Sequence, residues 1–378
     1  MKNTQMAQSF DNTDSSRLYM AMELSNSKWK LALSDGGKRR LKTIAARDLA
    51  QLQQQIQIAR DKFKLPSDTP VYSCYEAGRD GFWIHHYLQS QGICNRVVDS
   101  SSIEVNRRYR RAKTDRIDAG KLLTMLMRYT AGERKVWSVV HVPSVEQEDA
   151  RRIDREMQRL KKESGAHRNR IKSLLILHGI AIRTINGHFS EFLDTARLYN
   201  GQQLPPALKS ELLREYERYE LLRSQLKQLE EQKKALLQSD SDQVKQVLAL
   251  SQLRGIGEII SWDLIFEFFG WRQFENVKQV GAAAGLAPTP YGSGKTQIEQ
   301  GIGKDGNRRV RQLMVELSWL WLRYQPQSAL SRWYTRRFAA GGKRMRRVGI
   351  VAMARKLLVS LWKYLNTGVV PEGAAVKL

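Results

Sequence analysis

The stretch LYMAMELSNSKWKLALSDGGKRRLKTIAA, residues 18–46, decides how the first third of the chain folds. Its opening six residues are apolar up to the last, Glu23, the pattern of a strand buried on both faces. Residues 29–33 (WKLAL) give a second strand, and Asp35-Gly36-Gly37 supplies the residue types that close a hairpin. Residues 40–46 (RLKTIAA) give a third strand. Beyond this meander the apolar period changes. Leu49, Leu52 and Ile56 predict a helix over 48–64, and residues 71–75 (VYSCY) predict a fourth strand ending at Glu76. A helix over 81–91, a short strand at 96–98 and a helix over 115–128 complete the order βββαβαβα. That order predicts an α/β layered domain with a mixed sheet over residues 17–140.

The acids of this region are suggestively placed. Glu23 and Glu76 each end a strand, and neighbouring strand ends can converge on one site. Asp115 and Asp118 are i,i+3 on the predicted third helix and can share a face. Four carboxylates brought together repel one another unless a cation lies between them. Mg²⁺ prefers such oxygen ligands, and two such ions about 4 Å apart can stabilise both oxygens of a phosphoryl displacement. Taken singly, each acid has a plainer reading as a surface charge or, for Asp115, a helix cap.

Composition points to the substrate. The chain has 378 residues, 42% of them hydrophobic, and a net charge of +25. So large a basic excess in a chain able to bury a core indicates a polyanionic partner, most often nucleic acid. Residues 106–113 (NRRYRRAK) place Arg107, Arg108, Arg110, Arg111 and Lys113 beside the candidate acids, where phosphate contact is the favoured role. A charge run is otherwise a solvated face. No apolar run approaches the length of a transmembrane helix. The polar residues 1–16 have no apolar core, so they read as a disordered tail rather than a secretory signal. Cys74 and Cys94 lie in apolar segments without ligand-like neighbours and read as buried reduced thiols. These features together predict a cytoplasmic protein.

The middle of the chain, 141–245, reads as long helices. Residues 145–178 are highly charged and helical, and His167 and His178 within them have no partner spaced to make a metal site. In residues 210–237, Tyr219, Leu222, Leu226, Leu229 and Leu236 follow a 3,4 spacing with Lys233 at a seam position, a short coiled-coil pattern. The two helices can pair with each other or with another subunit.

The last third, 246–370, is mostly apolar helix broken twice. LRGIG (253–257) resembles the turn of a helix-hairpin-helix, in which Gly255 and Gly257 let backbone N–H groups approach a phosphate; Gly-x-Gly also occurs as a plain tight turn. Residues 285–307 (GLAPTPYGSGKTQIEQGIGKDGN) contain Gly-Ser-Gly-Lys-Thr at 292–296. A phosphate-binding P-loop needs a glycine at 289, where Thr stands, and a strand before it and helix after it, neither of which is evident. What remains is Ser293 between two glycines, near Lys295, Lys304 and Arg308, all placed for phosphate contact, while Asn307 reads as structural. Residues 308–324 form a helix with a Leu/Trp face; Trp319 and Trp321 read as core or interface aromatics. Residues 332–347 hold seven cations and no acid, among them Arg336, Arg337, Lys343 and Arg344, a second polyanion patch. An apolar helix over 350–365 closes the chain and the final residues read as frayed.

Over nearly its whole length the sequence resembles the IS110-type insertion-sequence transposases, IS1111-type members included, which are related to the Piv DNA invertase. The motifs that carry the resemblance are AMELSNSKW (21–29), CYEAGRDG (74–81), KTDRIDA (113–119), LRGIG and GLAPTPYGSGKTQIEQGIGKDGNRRVR (285–311). The resemblance implies a RuvC-like, RNase H-fold N-terminal domain with a four-acid Mg²⁺ site, a coiled-coil region and a transposase domain bearing a serine nucleophile. The acids fall on Glu23, Glu76, Asp115 and Asp118, and the nucleophile on Ser293. It further implies cutting and rejoining of double-stranded DNA, at element ends and target, through a phosphoserine link and a Holliday-type junction. The resemblance implies as well a structured noncoding RNA, encoded by the element, that pairs with both DNAs, and assembly as dimers and tetramers. The family's first acid is commonly Asp; here it is Glu23, longer by one methylene. Two other readings stay open on the residues: a hydrolytic RuvC-like nuclease in which Ser293 has no role, and an inactive nucleic-acid-binding remnant.

Overall fold

A computed structural model describes residues 16–103, 119–293, 296–303 and 305–377, with the backbone alone at 101, 290–293 and 296–300. The expected disordered tail lies, but for its last residue, outside the described residues. The chain divides into two compact units, Met1–Val142 and Pro143–Leu378.

In the first unit, β1 (Leu18–Leu24), β2 (Lys28–Ser34) and β3 (Arg39–Ala45) form the antiparallel meander. Then come α1 (Leu49–Phe63), β4 (Val71–Glu76), α2 (Trp83–Ser90), β5 (Cys94–Val98) and α3 (Ala119–Thr130). The sheet order is β3-β2-β1-β4-β5, with β4 parallel to β1 and β5 parallel to β4. The Asp48 side chain starts α1 by accepting from the Gln51 backbone N–H at 2.8 Å, a cap typically worth about 1 kcal/mol.

Strand alternation distributes the core. Met20, Met22, Leu31 and Leu33 face one side, with Leu52 and Ile56 of α1 and Ile84 and Leu88 of α2. Ala21, Ala32 and Cys74 face the other, where Leu122, Leu123 and Leu126 of α3 cover them. The side chains on that second face are small, so α3 can lie close to the sheet. Central β1 is thus buried on both faces, whereas edge β3 is mostly exposed. Cys74 is free and buried, and burial pushes its thiol pKa up; Cys94 is free and half-buried.

The second unit begins with a helical arm. The single helix expected over 145–178 is two helices, α4 (Val145–Ala150) and α5 (Arg152–Ile176). They part at Arg151, whose guanidinium lies 4.7 Å from the Trp271 ring centre. After α6 (Phe189–Thr195), α7 (Pro206–Leu237) starts four residues earlier than the spacing suggests, because Pro206 is accommodated in the first helical turn. The helices α5 and α7 pair within the chain, antiparallel: Asp154 meets Lys233 near one end and Arg170 meets Glu215 nearer the other. Leu222 is buried at the seam, but Leu236 is 41% exposed.

The remaining elements are α8 (Asp242–Gln252), α9 (Glu258–Leu264), α10 (Val277–Ala283), β6 (Pro288–Ser293), β7 (Thr296–Ile302), α11 (Arg308–Tyr324), α12 (Ala329–Tyr334) and α13 (Lys343–Thr367). They enclose a core of Trp262, Phe268, Met314, Trp321, Leu357 and Leu361. Trp321 is fully buried and donates to Ser328 Oγ, while Trp319 is half exposed, so the two tryptophans divide between core and surface. Wide π turns follow α9 (Ile265–Phe269) and α12 (Thr335–Ala339). The terminal residues are docked rather than frayed. Gln325 donates to the Ala375 carbonyl and accepts from its N–H, and Lys377 N–H donates to the Gln252 carbonyl. This long-range pairing leaves no periodic trace in the sequence.

Candidate active site and nucleic-acid surface

Strand parity brings Glu23 and Glu76 together. In the parallel β1–β4 pair, Ala21 lies opposite Cys74 and Met22 opposite Tyr75, so Glu23 and Glu76 come next at the carboxyl ends of the two strands. Each stands two residues beyond a side chain covered by α3, hence on the α3 face. Both line one cleft of about 230 Å³ that Leu122 of α3 also lines. Glu23 is held 3.1 Å from Lys30 Nζ, an ion pair half open to water. A third carboxylate, Asp80, lines the same cleft and faces Arg47 at 3.4 Å and Arg79 at 3.9 Å. Asp80 is not among the acids expected from the sequence, although it lies inside CYEAGRDG, four residues after Glu76. Asp115 and Asp118 lie outside the described residues, as do Arg107, Arg108, Arg110, Arg111 and Lys113. Among the described residues no three His, Cys, Asp or Glu side chains are grouped to hold a metal ion.

The segment expected as a loop around Ser293 is a two-stranded hairpin. Ser293 pairs with Thr296, Gly292 with Gln297 and Tyr291 with Ile298. Pro288 and Pro290 are tolerated because β6 has one neighbour only and need not donate on its other side. A strand therefore does precede Gly292-Ser293-Gly294, but a second strand follows it, which again excludes a P-loop. Lys295 and Lys304 lie outside the described residues. At the hairpin base, Gly303 N–H donates to the Ala287 carbonyl and Asn307 N–H to the Ala283 carbonyl. The Asn307 side-chain oxygen caps α11, accepting from the N–H groups of Arg309 and Val310. Its structural role is thereby explicit.

The other expected contact residues are on the surface of the same unit. Gly255 has φ +90°, and a Cβ there would lie 2.9 Å from Tyr324 Cβ, so only glycine fits the turn between α8 and α9. Gly257 precedes α9 directly. Arg308 begins α11, Arg336 and Arg337 lie in the second π turn, and Lys343 and Arg344 begin α13; all five are exposed. Arg346 and Arg347, also exposed, extend the patch.

Beneath α11 lies a polar pocket of about 200 Å³ lined by Asp154, Asp263, Glu267, Arg309 and Glu316. Burial, with the Asp154 charge beside it, pushes the Asp263 carboxyl up to about 6. Burial lowers the Arg272 guanidinium to about 10, and it stacks 3.8 Å from the Trp271 ring centre.

Residues 248–334, from α8 to α12, match the model of the Transposase IS116/IS110/IS902 family. A Sinorhizobium fredii (strain NGR234) protein named "Putative transposase y4rJ" is 40% identical over 380 residues, 96% of each chain. The chain belongs to the IS110 family of transposases. More distant relatives of this transposase carry insertion-sequence names. The transposase for element IS1328 of Yersinia enterocolitica is 27% identical over 44% of this chain and 49% of its own. The transposase for IS1111A of Coxiella burnetii is 26% identical over 54% and 53%. As a transposase the chain acts on DNA, which accounts for the basic excess. No helix among the described residues is long and apolar enough to cross a membrane.

Proposed function

We propose that this transposase cuts and rejoins DNA strands at insertion-sequence ends and target with Ser293 as nucleophile and Glu23, Glu76, Asp115 and Asp118 as a Mg²⁺-binding set. The observation that carries the reading is the convergence of Glu23 and Glu76 on one face at the carboxyl ends of adjacent strands, over the helix that begins at the last residue of KTDRIDA. The order β3-β2-β1-β4-β5 with one antiparallel and one parallel half supports an RNase H-like, RuvC-like domain. The α8–turn–α9 unit supports a helix-hairpin-helix that meets phosphate. The donor set fits a hard cation: Glu23 and Glu76 offer carboxylates, and among the described residues no thiol or imidazole lines their cleft.

When bound there, Mg²⁺ supplies charge stabilisation at the reacting phosphate. The chain's own residues do the rest. Ser293 Oγ forms a bond to phosphorus while one P–O bond to deoxyribose breaks, and the departing oxygen takes up a proton. Rejoining reverses this: a strand-end hydroxyl attacks the phosphoserine and Ser293 is released, so the phosphodiester count is conserved without an energy source. Glycines on both sides of Ser293 admit the DNA backbone. Arg308, Arg336, Arg337, Lys343 and Arg344 bind phosphates without reading sequence. An element-encoded noncoding RNA that pairs with both DNAs would supply sequence choice, in a cytoplasmic homodimer or homotetramer.

The test is to incubate the protein with element-end RNA, donor and target DNA, and Mg²⁺, then map any covalent protein–DNA adduct by mass spectrometry. An adduct on Ser293 supports the reading; one elsewhere overturns the site. If Ser293→Ala still cuts at the full rate, the chain is a hydrolytic nuclease. If no product forms, it is a binding remnant.

A further inference from the structure

The chemistry above makes no use of a polar network in the second unit. Glu267 sits in the π turn after α9, a class of distortion frequent at functional sites. Its side chain is 12% exposed. Arg155 of α5 donates to both its oxygens, Nη2 to Oε1 at 2.7 Å and Nε to Oε2 at 3.1 Å. Asn307 Nδ2 donates to Oε1 at 3.0 Å. Burial works to raise the Glu267 carboxyl, and the hydrogen bonds from Arg155 and Asn307 outweigh it, holding the group below the usual carboxylate range. The Glu267 carbonyl accepts from Arg272 and Trp271, so the turn is pinned through its backbone as well.

Asn307 is where this network meets the hairpin. Its amide is used at both ends, Oδ1 on α11 and Nδ2 on Glu267, which fixes its orientation. Its backbone N–H holds Ala283, while Gly303 N–H closes the hairpin on Ala287. Between them, Gly306 packs so tightly that a Cβ would collide with the Gly285 nitrogen and the Ala283 carbonyl oxygen. A two-stranded ribbon has little stability alone, so the direction of its tip depends on its base.

We propose that Glu267, braced by Arg155, is a positioning residue for strand transfer: through Asn307 it fixes the base of the β6–β7 hairpin and thereby the aim of the tip that carries Ser293. The proposal rests on the serine reading given above. Capping of α11 does not need the bond to Glu267, because Ser and Asp cap about as well as Asn. The clamp can therefore be cut while the helix start is kept.

The experiment compares full-length Asn307→Ser, Asn307→Asp and the double variant Glu267→Gln/Asn307→Asp with the wild type. In Asn307→Asp two carboxylates face each other. In the double variant the introduced amide donates to the introduced carboxylate, restoring the bond with its polarity reversed, while Arg155 keeps one of its two acceptors on residue 267. We expect Asn307→Asp to slow strand cleavage at saturating DNA by about ten- to a hundredfold, the scale set by a misplacement of about 1 Å. Amide exchange over residues 296–302 should quicken, with DNA affinity unmoved and the protein still fully folded at the assay temperature despite a lowered melting midpoint. Asn307→Ser should show a smaller effect of the same kind, and the double variant should recover part of both. An unchanged cleavage rate in Asn307→Asp overturns the proposal, as does a loss that follows global melting or that the double variant does not recover. Ser293→Ala run alongside separates the two readings. If it cuts at the wild-type rate the nucleophile assignment fails, while a slowed and rescued Asn307→Asp still establishes the clamp.

Discussion

At the scale of single residues, burial sets the titration of Asp263. Its carboxyl is raised from an ordinary 3.8 to about 6, chiefly by burial and then by the neighbouring Asp154 charge. A raised acid binds its proton more tightly folded than unfolded. Its contribution to stability is therefore lost as pH rises from about 4 to about 6, and the deficit is constant above that. The shift corresponds to about 3 kcal/mol at most. Asp263→Asn should accordingly raise the urea midpoint at pH 8, with the gain shrinking to nothing near pH 4; a gain that grows on acidification would contradict the assignment. Gly306 makes a second residue-scale case. Its missing side chain is demanded by contact with backbone atoms rather than by φ. Gly306→Ala should cost about 1–3 kcal/mol or more by overpacking, read by chemical denaturation. Neither property is visible in a linear sequence: both arise from neighbours 20 or more residues away, such as Gly285 and Asp154.

At the scale of elements, legibility followed the range of the interaction. The strands and first two helices of the first unit match their predicted bounds closely, because alternation of apolar residues and the Asp48 cap are local signals; the expected start of the third helix lies outside the described residues. The β6–β7 hairpin was hidden because Gly and Pro mask strand character and the ribbon has few apolar positions to alternate. In the arm, a coiled-coil seam was legible, but its pairing within the chain was not. Lys233 shows why the seam tolerates a cation. Its Nζ lies 2.9 Å from Asp154 and 4.6 Å from the Trp262 ring centre, on a side chain 9% exposed. Lys233→Met strips Asp154, whose carboxyl burial already raises, of its ion-pair partner beside Asp263, and should destabilise the fold by about 3–5 kcal/mol at neutral pH. Adding Asp154→Asn should return part of that loss. Equal denaturation midpoints for Lys233→Met and wild type would show that the pair is not needed.

At the scale of the whole molecule, the net charge of +25 announced a polyanion partner, and the family assignment makes that partner DNA. Charge alone could not say which cations touch it, since many are spent internally: Arg155 on Glu267, Arg170 and Arg218 on Glu215, Lys233 on Asp154. Of the candidate site, the pairing of Glu23 with Glu76 was legible because both end strands, and the carboxyl ends of a parallel pair lie side by side. The exposed cluster at the start of α13 is different from the internal pairs: Lys343, Arg344, Arg346 and Arg347 lie in its first two turns and face water. If these contact phosphates, each releases condensed counterions on binding, and the dependence of log affinity on log salt steepens by about 0.9 per contact on duplex DNA. Replacing Lys343 and Arg344 together by Ala should then flatten the slope by about 2 and weaken binding to specific and random duplexes alike. A slope that stays the same while affinity falls would place the loss in folding rather than in phosphate contact, and an unchanged affinity would move the DNA to another face of this unit.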